Sequence, residues 1–430
     1  MFDVAHAAAA FVRTRALEAL LRSREAIDRH QRRACARLAA DARATIAFYR
    51  DKGPSFEDLP IIDKAVQQGR FHEFNRPGIT LDEAVEALAG GRDTVRGYFV
   101  GQSTGTSGNR GRFVISAAER FAWLGTIVAK AVPDALFRRR RVALALPGFS
   151  SLYKSASSGS RISLAFFDLA LGVDTWRDAL ADFAPEVLVA PPKVLRRLAE
   201  DGVLRGVEPF SGAEVLDPID REVVEQASGR RVREIYMATE GLFAVGCRHG
   251  TLHLAEDVIR FEWEAVPGSG LVVPIVTDMV RRVQPMIRYR MNDLLELSPA
   301  GCPCGSPFRT VARIHGRMDD VFEFAGERGR VMVTPDVLRN AVVDADARIR
   351  DYRIVQRPDG SVAVELEEAL PEEVHSAVRA ALEGVLARLG AGAAVATARG
   401  ITPRFDRKLR RVERERAGAA GAEPQSSFRA

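Results

Sequence analysis

Ser103-Thr104-Gly105-Thr106-Ser107-Gly108-Asn109-Arg110-Gly111 follows almost directly on the apolar stretch Tyr98-Phe99-Val100. Nine residues hold three glycines, two threonines and two serines, with Arg110 inside the string and Arg112 just beyond it. Glycines let a backbone approach a ligand closely and aim its N–H groups at an anion, while hydroxyls add neutral donors. That composition suits a polyphosphate, although the same string also reads as a plain Gly/Ser turn. It is not the P-loop of the common NTPases, because no G-x-x-x-x-G-K-[ST] occurs in the chain.

At 430 residues the chain exceeds one ordinary core, so a large domain with a smaller companion is expected. Hydrophobic residues at 47% and charged residues at 28% describe a globular protein, and the net charge of +5 is dispersed. The one dense basic cluster before the C-terminal region, residues 138–141, precedes the strand-like run 142–146 and reads as a solvated strand entry. Few aromatics interleave with the arginines, which argues against nucleic-acid partners. No apolar run approaches a bilayer span, and residues 1–13 lack the pattern of a signal peptide, so no membrane association and a cytoplasmic location are expected.

Helical periodicity runs over residues 15–50, after which Pro54 and Pro60 punctuate a loop leading to Ile61-Ile62-Asp63-Lys64. Apolar runs at 142–146, 187–190 and 232–236 alternate with helical stretches at 193–200 and 217–227, the pattern of β–α units on a parallel sheet. Segments 255–264 and 270–277 read as antiparallel strands. The expected fold is therefore α/β, with a large mixed-sheet domain over 1–318. A shift at Gly316-Arg317-Met318-Asp319-Asp320 opens a small α+β domain over 319–416. It has helices at 335–345 and 372–389 and strands near 351–356, 362–367 and 394–401. The small, polar residues 417–430 form a tail expected to be disordered.

Three further strings carry chemistry. Tyr236-Met237-Ala238-Thr239-Glu240-Gly241 places a hydroxyl beside a carboxylate after a strand-like run, suited to a phosphate and its Mg2+; a helix N-cap threonine with a first-turn glutamate is the alternative. Ile287-Arg288-Tyr289-Arg290-Met291-Asn292-Asp293 puts an acid at the end of a strand-like run, where it either binds vicinal ribose hydroxyls or pairs with a nearby arginine. Pro403-Arg404-Phe405-Asp406-Arg407-Lys408 is basic and by itself a solvated tail. Among the four cysteines, Cys302-Pro303-Cys304 with Cys247 and either His249 or His253 makes a Cys3His set for structural zinc, against free loop thiols as the alternative. Cys35 lies in a helical stretch and reads as a small core residue.

The order of these strings, with Ser211-Gly212-Ala213-Glu214 between the first and second, is similar to that of the adenylate-forming superfamily of acyl-CoA ligases. Within it the chain resembles the phenylacetate–CoA ligase-like branch, from about Phe56 to Arg411. The resemblance implies that the 103–111 loop (Ser103, Thr104, Gly105, Thr106, Ser107, Gly108) grips the ATP phosphates and that Thr239 contacts phosphate while Glu240 holds Mg2+. It further implies that Gly212, Ala213 and Glu214 line the adenine pocket, that Tyr236 belongs to the cofactor-binding residues and that Asp293, helped by Arg317, binds the ribose. Lys408 would serve adenylation and Asp319 would be the hinge. It favours His253 over His249 as the fourth zinc ligand. The implied activity is ATP-dependent activation of a carboxylic acid to an acyl-adenylate, with Phe149 near an aromatic or small hydrophobic acid. Transfer to CoA follows, or to a carrier protein or amine supplied in trans; a catalytically impaired nucleotide-binding homologue is the remaining alternative. A homodimer is compatible with this reading. The chain departs from the family pattern in lacking a loop lysine after the glycines, and in carrying Met237, Phe405 and Arg407 where relatives have glycine, serine or threonine, and glycine.

Overall fold

The computed structural model describes residues 2–103, 111–146, 162–326, 329–401 and 410–415. Their contacts divide into two compact units. One runs to Met291 and resumes over Leu295–Ile314; the other joins Asn292–Leu294 to the chain from His315 onward.

The first unit opens with α1 (Phe2–Leu20) and α2 (Arg24–Thr45). The periodicity over 15–50 merges these two helices. The chain breaks at residues 21–23, where the Ser23 hydroxyl caps α2 by accepting the Ala26 N–H, and the first helix reaches back through an alanine run that shows no polar stripe. Next come α3 (Lys64–Gly69), α4 (Leu81–Ala89) and α5 (Ala117–Ala131). Helix α1 packs so closely on α5 that a Cβ at Gly125 would lie 2.1 Å from the Ala7 carbonyl oxygen, so only glycine fits there.

Strands β1 (Thr94–Val95), β2 (Tyr98–Gln102) and β3 (Arg112–Ile115) form an antiparallel sheet. The main sheet is 12-stranded. Its parallel half consists of β4 (Arg140–Leu146), β5 (Ile162–Asp168), β6 (Val187–Ala190), β7 (Glu208–Gly212) and β8 (Arg233–Ala238), in the order β5-β4-β6-β7-β8. The central strands β6 and β7 are almost wholly buried, as parallel strands are when helices cross over both faces, while the edge strand β5 is mostly half-buried. The crossovers are α6 (Val173–Phe183), α7 (Pro192–Glu200) and α8 (Pro218–Ser228). In open sheets of this kind ligands bind beyond the carboxyl ends of the parallel strands.

Past β8 the sheet turns antiparallel through β9 (Gly241–Gly246), β10 (Leu252–Leu254), β11 (Ile259–Ala265), β12 (Val272–Asp278), β13 (Tyr289–Arg290), β14 (Asp293–Leu297) and β15 (Thr310–Arg317). The strand expected over 255–264 begins only at Ile259. Val258 and Ile259 both donate to the Ala255 carbonyl, at 3.0 and 2.8 Å, and close a tight turn instead. The largest core joins Cys35, Leu38 and Ala42 of α2 to Phe243, Leu254 and Ile259 of the sheet.

The second unit contains a hairpin of β16 (Phe322–Gly326) and β17 (Gly329–Val333), absent from the sequence-based reading. Helices α9 (Pro335–Val343) and α10 (Glu372–Arg388) accompany a sheet of β18 (Tyr352–Gln356), β19 (Val362–Leu366), β20 (Val395–Arg399) and β21 (Val412–Arg414), ordered β20-β19-β18-β21. Its own core includes Leu338, Tyr352, Val364, Val378 and Leu382. Among the described residues no helix is long and apolar enough to cross a membrane.

Candidate active site and metal centre

Strands β2 and β3 pair up to Gln102↔Arg112, so the two residues that flank the Ser/Thr/Gly string are held side by side. Thr104, Gly105, Thr106, Ser107, Gly108 and Arg110 lie outside the described residues, but the stem is defined. The Ser103 N–H donates to the Gly111 carbonyl at 2.8 Å, and the Gly111 N–H returns a bond to the Ser103 hydroxyl at 2.9 Å. Gln68 of α3 exchanges two bonds with the Arg112 backbone, at 3.0 and 3.1 Å. At the start of α3, capped by Asp63, Lys64 reaches the same stem: a Cβ on Gly111 would meet its Cε at 3.3 Å and its Nζ at 3.9 Å. Sequence reading missed this lysine as a partner of the loop. The available signal was an N-capping aspartate followed by a lysine, too common to single out.

Thr239 and Glu240 form a two-residue turn between β8 and β9, with Ala238 paired to Gly241. The helix N-cap alternative is thereby excluded, since a strand follows. The Thr239 hydroxyl donates to one Glu240 oxygen at 2.8 Å, and the Tyr289 hydroxyl approaches the other at 3.4 Å. Burial first, and the Glu240 charge second, push the Tyr289 pKa up, so the phenol stays a neutral donor. Tyr289 is itself anchored by a parallel bridge to Ile62, two residues before Lys64. The hairpin turn and the loop stem are thus connected through one short segment of chain.

At the carboxyl end of β7, beside β8, stand Gly212, Ala213 and Glu214. Ala213 has φ of 69°, a left-handed conformation that costs a non-glycine residue about 1 kcal/mol. The Glu214 carboxylate lies 3.7 Å from the Lys193 ammonium, both largely buried. Tyr236 is buried in β8 with its ring 5.0 Å from that of Phe243.

Asp293 differs from expectation: it begins β14 instead of ending a strand, because β13 stops after Arg290 and the chain bends at Met291-Asn292. The bend brings together three of the named residues within the second unit. Arg317 lies 3.6 Å from Asp293, and Asn292 donates to Asp319 at 2.6 Å while its carbonyl accepts the Met318 N–H at 2.8 Å. Phe149, Phe405, Arg407 and Lys408 lie outside the described residues.

A second cluster sits at the other end of β9. Cys247 follows that strand, His253 lies on β10, and Cys302 and Cys304 occupy the loop between β14 and β15, so neighbouring strands deliver all four. Their ligand atoms lie within 4.8 Å of one another. The Cys247 and Cys302 sulfurs are 3.6 Å apart, and the Cys304 sulfur is 3.3 Å from His253 Nε2. Tetrahedral zinc with Zn–S bonds of about 2.3 Å separates two sulfurs by about 3.8 Å, so this donor set fits the ion. His253 Nδ1 lies 3.4 Å from the Phe308 carbonyl, and Nε2 faces the sulfurs. Burial opposes the Cys302 thiolate, but bonds from the Thr251 hydroxyl, the Cys304 N–H and the His253 side chain outweigh it and bring the pKa to about 6. Burial and the neighbouring sulfurs push Cys304 up to about 11. His249 is exposed and outside the cluster, its ring accepting from Arg248 at 3.2 Å. Cys35 is fully buried in α2, within the core.

No family model matches the chain. Against curated proteins, it is 28% identical over 203 residues to the phenylacetate–coenzyme A ligase of Thermus thermophilus, covering 43% of this chain and 44% of that one. With the phenylacetate–coenzyme A ligase of Pseudomonas putida it shares 25% over 166 residues, 34% and 37% of the two chains. The chain therefore spans less than half the length of the curated relatives it matches. Among solved structures, 2-hydroxyisobutyryl-CoA ligase in the postadenylation state superposes with a TM-score of 0.66 at 20% identity, over 91% of this chain and 89% of the other. An anthranilate CoA ligase in complex with anthranoyl-AMP gives a TM-score of 0.51 at 12% identity, over 72% and 65%. The chain has the fold of the adenylate-forming ligases and, by sequence, is related to the phenylacetate–coenzyme A ligases.

Proposed function

We propose that the protein activates a carboxylic acid with ATP, releasing pyrophosphate, and passes the acyl group to the thiol of coenzyme A. The observation that carries this reading is the Thr239-Glu240 turn at the carboxyl end of a parallel strand, in a chain with the adenylate-forming fold. The same ligase relative is known bound to an acyl-AMP together with CoA, which supports CoA as acceptor.

In this reaction an oxygen of the acid forms a bond to the α-phosphorus as the bond to the β-phosphate oxygen breaks, and pyrophosphate leaves. Two anions must approach, so charge has to be offset and geometry held before the step. Ser103 to Gly108 and Lys64 hold the phosphates, the Thr239 hydroxyl orients one of them, and Glu240 holds Mg2+, which offsets polyphosphate charge when bound. A single carboxylate beside a hydroxyl fits Mg2+, which keeps most of its ligands as water and phosphate oxygens. Gly212, Ala213, Glu214 and Tyr236 frame the adenine; Asp293 and Arg317 bind the ribose. Lys408 meets the carboxylate and the α-phosphate, and a turn of the backbone at Asp319 withdraws it so that the CoA sulfur can attack the acyl carbon and expel AMP. The acid is small or aromatic. Cys247, His253, Cys302 and Cys304 hold a structural zinc away from this chemistry.

The test is pyrophosphate release across a panel of aryl and small alkyl acids, with CoA added and the thioester sought by mass. Acid-dependent release with thioester formation is expected; ATP binding with no acid-dependent release would overturn the reading. Replacing Lys408 with alanine should reduce adenylation at least about a hundredfold yet spare thioester formation from a supplied acyl-adenylate. Equal loss in both half-reactions would refute the two-step scheme.

A further inference from the structure

One side chain spans the two halves of the proposed phosphate site. Arg281 is buried at 7% exposure in the loop after β12. Its Nη1 donates to the Thr239 carbonyl at 2.9 Å. Its Nη2 donates to the Val114 carbonyl at 3.3 Å and to the Gln284 side-chain oxygen at 3.2 Å. The guanidinium also lies 5.7 Å from the Phe113 ring centroid. Phe113 and Val114 belong to β3, the strand that leaves the 103–111 loop, whereas Thr239 opens the turn that carries Glu240.

The supports behind Arg281 are themselves fixed. Gln284 uses the same oxygen to accept the Val114 N–H at 2.9 Å, so β3 is held twice. Asp278 accepts the N–H groups of Val280 and Arg281 at 2.8 and 3.1 Å. Glu119, in the capping box of α5, accepts those of Arg282 and Val283 at 2.6 and 2.8 Å. Burial works against the guanidinium charge and lowers its pKa, while Glu119, Asp278, Glu240 and Tyr289 act in the opposite direction. A buried cation of this kind is a poor way to gain stability compared with apolar packing. Arg281 Nε and Gln284 Nε2 are buried donors with no hydrogen-bond partner among the described residues.

We propose that Arg281 is a positioning residue for Mg·ATP: it bonds the Thr239 carbonyl and β3 at once, and so sets the separation between the Thr239-Glu240 turn and the strand that leads on from Gly111. The inference rests on the adenylation reading above. It predicts a loss confined to the nucleotide, because the bonds of this network end on the Thr239 carbonyl, on β3 and on the loop after β12.

The experiment uses the full chain and three variants, Arg281→Met, Arg281→Lys and Gln284→Ala. Mg·ATP affinity is measured by calorimetry without acid, and KM values for Mg·ATP and for the acid by pyrophosphate exchange, alongside thermal melts. Arg281→Met should weaken Mg·ATP binding and raise its KM about tenfold, with the acid KM within about twofold of wild type. Arg281→Lys should recover most of that loss, since it restores a cation to the Thr239 carbonyl. If Arg281→Met does not fold, Gln284→Ala carries the test, with an expected loss of about threefold in Mg·ATP affinity. Folded variants with wild-type Mg·ATP affinity would overturn the inference, as would ATP and acid KM values rising together. A wild-type protein that binds no Mg·ATP overturns the proposed function and this inference with it. Wild-type binding with unaffected variants overturns the inference alone.

Discussion

Strand β9 has a different kind of site at each end. At its start the Thr239-Glu240 turn is held by neutral and charged hydrogen bonds from Tyr289 and Arg281, all from side chains buried in one core. At its finish Cys247 joins His253, Cys302 and Cys304 in a set of four soft donors gathered from three chain segments. Six strand residues, about 20 Å of chain, separate the two. Hydrogen bonds fix the first end, which suits the proposed role of Glu240, because a carboxylate that handles a divalent ion and a triphosphate has to be held in place. The second gathers loops that have few apolar side chains of their own, and a metal suits that task where a core cannot form. The difference teaches that one strand can couple a chemical corner to a structural knot without either borrowing the other's residues.

That separation can be broken by substitution. Glu240→Gln should lower adenylation about a thousandfold while leaving the melting midpoint nearly unchanged; a comparable loss of stability would mean that the turn is a structural element first. Cys302→Ser should act in the opposite sense. It should abolish stoichiometric zinc in metal analysis and lower the melting midpoint by about 10 °C, with adenylation by the remaining folded protein within about threefold of wild type. A full stability with no bound metal would remove the knot from the account.

Two smaller effects sharpen the chemical end. Lys64→Ala should raise the KM for Mg·ATP about tenfold and leave the acid KM alone, because a lysine stands at the stem of a loop that has none of its own. An unchanged KM would show that Lys64 does not serve the loop. Tyr289→Phe removes only a long bond to Glu240, so adenylation should fall by no more than about threefold. A larger drop would show that the phenol, and not the Thr239 hydroxyl, fixes the carboxylate.

Much of the fold was legible along the chain. The runs at 142–146, 187–190 and 232–236 are β4, β6 and β8 within a residue or two; the first two are continuous apolar runs of the kind parallel strands leave, whereas β8 carries Arg233 and Glu234 and is marked by Val232, Ile235 and Tyr236. Residues 255–264 misled, since Val258, Ile259 and Phe261 read as one strand-like run with Ala255, although the Glu256-Asp257 pair inside that run marks the turn. The break between α1 and α2 was hidden for a similar reason: alanine and arginine continue on both sides of Ser23, and only the cap geometry ends one helix and starts the next. Candidate residues that appear as compact strings were found together, as with Thr239-Glu240 and Cys302-Pro303-Cys304. Those defined by a single ordinary residue far away were not.

The sequence by itself determined the α/β character, the order of the nucleotide strings and the identity of a three-cysteine, one-histidine set. These are properties of residue type and local periodicity, which neighbours along the chain carry. Tertiary structure alone decided that Thr239-Glu240 is a hairpin turn, that Lys64 lies against Gly111, and that Arg281 joins Thr239 to β3; it also places His253, which the family resemblance favoured, against the thiols and leaves His249 outside. Each of those depends on pairing between segments tens to hundreds of residues apart, such as Ile62 with Tyr289 or Arg281 with Val114. No local pattern encodes such a contact, because the free energy that selects it comes from burying distant surfaces together.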